Sequence, residues 1–242
     1  EAGRHVVIAG SPSGTRGGRK ACARNSESTY SAASWGRLGV AAVDSSSILK
    51  VPIWVRGLIF DCDGTLADTL PAHYAAWEET FAALGLACPL EFLIRHNGKP
   101  TALIVALYNV EFGQQVDVER FTADKERRTL ARLRQVRPME PVAALARRYH
   151  GQMPMAVVSG SNHANVEQTL RAIGVRELFL AVLTADDGLP PKPEPDLFLE
   201  AACRIGIEPC YCQVFEDADA GLEAARRAGM LATDVRPVVG GY

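Results

Sequence analysis

Two aspartates, Asp61 and Asp63, stand two residues apart in the stretch FDCDGTLADT, directly after the apolar run GLIF. Carboxylates repel each other, so a pair of them where a buried strand runs out calls for a cation or for a divided task. Asp61 would end the strand with its carboxylate free to attack an electrophile such as phosphorus. Asp63 would project from the turn that Gly64 permits and reach a leaving oxygen instead. One carboxylate then attacks while the other handles the proton. On its own, a DxDG is equally a turn or a helix cap.

Other residues in the chain weigh against that plain role. Ser159 and Gly160 follow the apolar run of MPMAVVSGS, Lys192 sits among prolines in GLPPKPEPD, and Glu216, Asp217 and Asp219 end VFEDADAG. In an open parallel sheet, ligands bind at the carboxyl ends of the strands. These groups therefore converge on one edge as several carboxylates, a hydroxyl and a lysine. Oxygen ligands with open water positions suit Mg²⁺. The lysine, the hydroxyl and the backbone N–H groups near Gly64 and Gly160 suit a phosphate.

The elements that must position these groups are readable from periodicity. VRGLIFD, MPMAVVSGS, LFLAVLTADD, CQVFEDAD and LATDVRPVV read as strands, separated by the helical stretches NVEQTLRAIGV, DLFLEAACRIGI and AGLEAARRAGM. Alternation of this kind predicts a parallel α/β sheet. From Pro71 to about residue 137 only helical periodicity appears. Asp68 or Thr69 is placed to cap the first of these helices, with Pro71 in its first turn and Gly85 past its end. The expected fold is α/β: a Rossmann-like parallel sheet core (55–70 and 138–242) with a helical cap domain (71–137) inserted after the first strand. Strand alternation turns Cys62 into the core, as a small apolar residue and not a second nucleophile.

The chain has 242 residues, 48% hydrophobic and 22% charged, with a formal net charge of −2. That profile gives no reason to expect a nucleic-acid surface, and no apolar run is long enough for a membrane span. The six cysteines form no CxxC pair, which argues for free thiols over a zinc site. Residues 1–50 are rich in Ser, Gly, Ala and Arg and poor in acids, and a disordered extension is expected through residue 54. The same composition fits an organellar transit peptide, the alternative to a cytoplasmic location.

Together, LIFDCDGTLADT, AVVSGS, PKPEPDLF and VFEDADAGLEAARRAGM resemble the haloacid-dehalogenase-like hydrolase superfamily. Within it, the chain is similar to the β-phosphoglucomutase-like sugar phosphatases with a helical cap, the fructose-1-phosphate phosphatase type in particular. The resemblance implies an aspartyl-phosphate enzyme acting on a small phosphorylated substrate. It makes Asp61 the nucleophile and Asp63 the general acid and then base. Ser159 and Lys192 would hold the phosphoryl group. Mg²⁺ would be bound by Asp61, the Asp63 backbone carbonyl, Glu216 and Asp217. Thr65 would orient Asp63 or its loop, and Gly160 would line the phosphate site. From the cap, His73 and Lys125 would reach the reacting oxygens, and Asn97, Gly98 and Lys99 would read the substrate. Trp77 is expected in the cap's core. Mutases of this branch carry an arginine near that loop. Thr101 stands there instead, which favours a Mg²⁺-dependent phosphatase over the alternative, a sugar phosphomutase. A monomer or weak dimer is expected.

Overall fold

The computed structural model describes residues 48–240. Five strands form one parallel sheet: β1 (Gly57–Phe60), β2 (Met155–Val158), β3 (Ala181–Leu183), β4 (Cys212–Glu216) and β5 (Leu231–Asp234), in the order β3-β2-β1-β4-β5. β1 is central, and the strand order reverses beside it. That is where an α/β sheet opens a crevice at its carboxyl edge.

β1 is buried along its whole length because helices cover both faces of the sheet. Its side chains alternate. Leu58 and Phe60 point into one core with Met155, Val157 and Phe215. Ile59 points into the other with Ala156, Val158 and Val214. The register Phe60↔Phe215 stacks the two rings with centroids 5.0 Å apart. At about 25 cal/mol per Å² of apolar area, side chains of this size each contribute roughly 1.5–3 kcal/mol when fully buried.

Four helices follow β1: α1 (Leu70–Ala82), α2 (Leu90–Arg95), α3 (Thr101–Phe112) and α4 (Val118–Arg132). They enclose a separate aromatic core of Trp77, Phe81, Phe92, Tyr108 and Phe121. The chain leaves and re-enters the sheet domain side by side. Asp68 N–H donates to Arg137 O at 2.9 Å, and Met139 N–H donates to Leu66 O at 2.9 Å. The sheet domain is completed by α5 (Glu140–Tyr149), α6 (His163–Ala172), α7 (Asp196–Arg204), α8 (Asp219–Arg227) and α9 (Arg236–Val239).

Three local expectations change. The last strand stops at Asp234, and Arg236–Val239 turns into a short helix. Pro237 cannot donate to a sheet ladder and is well suited to a helical first turn, which overrides the valines. Thr69 occupies the N-cap position of α1 but makes no capping bond: its backbone is already helical (φ −97°, ψ −17°), Pro71 has no N–H to offer, and its hydroxyl is turned to Asp63. Ordered chain also begins before Val55: Leu49 and Val51 pack against the core, and Lys50 O accepts from Gln213. Expectations for residues 1–47 lie outside the described residues. Among the described residues, no helix is long and apolar enough to cross a membrane.

Candidate active site

β1 delivers Asp61 to the carboxyl edge of the sheet, where its N–H donates to Phe215 O at 3.0 Å. Its carboxylate is buried, and Lys192 Nζ lies 2.7 Å from Oδ1. The same ammonium donates to Glu216 Oε2 at 2.7 Å and to Val158 O at 3.2 Å. Burial opposes the charge on Lys192, but Asp61 and Glu216 more than offset it and raise its pKa. Burial and then Glu216 push the Asp61 carboxyl well above the usual carboxylate range.

β4 ends in Glu216 and Asp217. Glu216 Oε1 accepts from Ala218 N–H at 3.0 Å, and Asp217 Oδ1 accepts from Thr65 at 2.9 Å. Burial, with the neighbouring Glu216, raises the Asp217 carboxyl to about 7. Asp61, Glu216 and Asp217 each offer an oxygen within 4.8 Å of the others'. Three carboxylates facing one lysine leave a net demand for positive charge, and an all-oxygen donor set fits a hard divalent cation such as Mg²⁺.

Asp63 has different surroundings. Thr69 donates to its Oδ1 at 2.7 Å. Ser159 and Ser161 donate to Oδ2 at 3.0 and 2.8 Å. His73 Nε2 lies 3.3 Å from Oδ1. Burial opposes ionisation here too, yet His73, Thr69 and Ser161 outweigh it and hold the carboxyl well below the usual range. The Asp63 side chain thus stands apart from the three-carboxylate cluster. Thr65 bonds Asp217 and not Asp63, and the Ser159 hydroxyl is spent on Asp63.

The cap brings Lys125 and His73 to the same place. Lys125, 2% exposed, donates from Nζ to His73 Nδ1 at 3.0 Å and to Glu126 at 3.1 Å, and it lies 5.3 Å from the Trp77 ring centre. A donor on Nδ1 assigns the imidazole proton to Nε2, the atom facing Asp63. Burial lowers the Lys125 pKa. Asn97, Gly98 and Lys99 line the cleft from the cap, and Lys99 Nζ pairs with His96 Nδ1 at 3.0 Å. Gly160 faces them from the sheet domain. A Cβ there would sit 2.3 Å from Gly98 O, so only glycine lets the two backbones touch. Trp77 is buried in the cap core and also lines the cleft. Ser161, Thr69 and Glu126 join the site without having been singled out in the sequence. Ser161 had a signal in the second serine of SGS; Thr69 was legible only as a cap.

Residues 58–235 match the family model for haloacid dehalogenase-like hydrolases. The chain belongs to that family. The hydrolase is 43% identical over 183 residues to the fructose-1-phosphate phosphatase YqaB of Escherichia coli, spanning 74% of this chain and 96% of that protein. It is 24% identical over 199 residues to the β-phosphoglucomutase of Bacillus subtilis, spanning 77% of this chain and 87% of that one. Its fold matches the crystal structure of CbbY from Rhodobacter sphaeroides in complex with phosphate, with a TM-score of 0.66 and 26% identity, covering 74% of this chain and 84% of CbbY. These relatives place the hydrolase in the branch of sugar phosphatases and β-phosphoglucomutases.

Proposed function

We propose that the hydrolase is a Mg²⁺-dependent phosphatase of small phosphorylated sugars or related metabolites, working through an aspartyl-phosphate. One observation carries this: two neighbouring carboxylates, Asp61 and Asp63, occupy opposite environments within one cleft. Asp61 faces a lysine and two further carboxylates. Asp63 faces hydroxyls and an imidazole.

An Asp61 oxygen attacks phosphorus as the ester P–O bond breaks, and the departing oxygen takes a proton from Asp63. Water then attacks the aspartyl-phosphate and gives a proton to Asp63. Inorganic phosphate leaves, and Asp61 is restored. The donors around Asp63 favour its ionised form, the form ready to accept the proton of water; it carries the proton for the leaving oxygen only once substrate draws it away from those donors. Lys192 stays charged beside Asp61 and the transferring group. Mg²⁺, held by Asp61, Glu216, Asp217 and the Asp63 carbonyl, would neutralise phosphoryl charge.

The cleft holds only about 50 Å³. That is room for about three to five water-sized spheres at roughly 10–15 Å³ each. A sugar phosphate is larger, and the adjoining cavity of about 250 Å³ beside Asn97, Tyr74 and Asp217 offers room for the rest of it; a cap closing over both would exclude water from the first step. The names of the relatives support sugar phosphates as the class. Thr101 is committed to Glu126, and the loop offers Lys99 but no arginine for a second phosphate, which favours hydrolysis over mutase chemistry.

The test is phosphate release from a panel of sugar phosphates, with and without Mg²⁺, with Asp61→Asn as the blank. Release that needs Mg²⁺ and vanishes in the variant is expected. Conversion of β-glucose 1-phosphate to the 6-phosphate with a bisphosphate primer, and no net release, would make the protein a mutase instead.

A further inference from the structure

Glu126 lies on α4 of the cap, one residue after Lys125, and gathers three donors. Thr101 from α3 and Lys125 share its Oε1, the lysine at 3.1 Å. Asn165, from α6 of the sheet domain, donates its side-chain amide to Oε2. Thr101 and Lys125 belong to the cap, so only the Asn165 bond crosses to the sheet domain. Asn165 is 2% exposed, and its Oδ1 finds no partner of its own. A buried amide that leaves one end unsatisfied accepts a desolvation cost. The charge-assisted bond from its other end to Glu126 is the offsetting interaction.

The consequence reaches the reacting carboxylate through two intervening residues. Lys125 sits between Glu126 and His73 Nδ1, and His73 Nε2 lies 3.3 Å from Asp63 Oδ1. Glu126 supplies the counter-charge that a buried ammonium needs. If the cap lifts, the Asn165 bond breaks, and Lys125 and His73, both on cap helices, leave Asp63 together.

We propose that Glu126 and Asn165 form a latch between cap and sheet domain that holds the cap's Lys125–His73 pair over Asp63 and thereby positions Asp63, making Glu126 a positioning residue. The inference rests on the phosphatase reading for its rate effect, but the latch itself is measurable without turnover.

Two measurements test it in the full chain. The first is acetylation of lysines by acetic anhydride, read by mass spectrometry. Glu126→Gln and Asn165→Ala should each raise the labelling rate of Lys125 about tenfold, with buried Lys192 unchanged as the fold control. Unchanged labelling of Lys125 overturns the latch. The second is steady-state phosphate release. Asn165→Asp sets one carboxylate against another and should lower kcat about tenfold with a smaller change in KM. Adding Glu126→Gln restores a donor–acceptor pair of reversed polarity and should recover most of the loss. Independent, multiplying losses in that double variant would overturn the coupling. If the parent released no phosphate from any substrate while Lys125 labelling still rose in the variants, the latch would stand and the phosphatase reading would fall.

Discussion

Asp217→Asn is expected to make the metal-free protein more stable at pH 8. The Asp217 carboxyl moves from 3.8 to about 7 on folding, through burial and the adjoining Glu216. Below pH 3.8 both folded and unfolded chains hold this proton, and the group contributes nothing. Between 3.8 and 7 the unfolded chain has released its proton while the folded chain retains it. Stability therefore falls as pH rises, by about 1.4 kcal/mol per pH unit. Above 7 the loss is complete, at about 4 kcal/mol. Asp217 keeps one edge toward the cleft, where water screens part of this, so roughly 2–3 kcal/mol is expected. Asp63 shifts the other way. Its stabilisation is lost only as pH falls below the ordinary carboxylate value toward its own lower folded one, so it stays constant between pH 5 and 8.

The asparagine keeps an oxygen to accept from Thr65 and removes the charge. In chelator at pH 8 its thermal midpoint should exceed the parent's by about 5–10 °C, at about 2–4 °C per kcal/mol for a chain of this size. At pH 5 the difference should shrink to under half. Saturating Mg²⁺ should stabilise the parent by about 2.7 kcal/mol at a hundred times its Kd, and the variant by much less, closing or reversing the order. A variant no more stable than the parent at pH 8, or a difference independent of pH between 5 and 8, would refute the argument from crowded carboxylates.

Asp61→Asn should abolish phosphate release, with a circular dichroism spectrum matching the parent's, because the amide keeps the shape but is not a nucleophile. Lys192→Met leaves Asp61 and Glu216 buried without their cation and should cost about 3–5 kcal/mol in urea unfolding at pH 8. A Cβ on Gly221 would lie 2.0 Å from Glu216 Oε2 and 2.1 Å from its carboxyl carbon. Gly221→Ala should therefore displace Glu216, lower phosphate release at least about tenfold and cost about 1–3 kcal/mol by thermal melting.

The sheet and its acidic edge were legible because buried parallel strands are plain apolar runs. GLIF and MAVV are each buried at every position, so no polar residue blurs their ends. The groups at those ends could be ordered along the edge without coordinates. What stayed hidden were hydrogen-bond partners. Thr69 has the side chain and place of a helix cap, yet its helical backbone and the approach of Asp63 turn the hydroxyl to another task. Thr65 is two residues from Asp63 yet bonds Asp217, 152 residues away. Glu126 has nothing local to mark it among the charges of DKERR, because the Asn165 opposite it comes from another domain. The helix α5 was not distinguished in the sequence, although Val142, Leu145 and Ala146 carry its apolar spacing, because Pro141 reads as a break before it is seen to suit a first turn.

The spacing of two between the aspartates matters because it separates their mechanical supports. Asp61 is the last residue tied to the sheet, through its bond to Phe215 O. Its position is fixed by β4, whose last residue, Glu216, shares the Lys192 ammonium with it. Asp63 belongs to the turn closed by Gly64 N–H to Ala67 O at 2.9 Å, and that turn leads into α1 and the cap. Its partners come from both sides: Ser159 and Ser161 from the sheet domain, Thr69 and His73 from the entry to the cap. A nucleophile benefits from a rigid mount, since in-line attack tolerates little displacement. A proton carrier must bond its hydroxyls in one step and a substrate oxygen in another. In the proposed mechanism, placing it on the turn that leads into the cap would link its choice of partner to closure, and a single intervening residue, buried Cys62, is enough to divide the two supports.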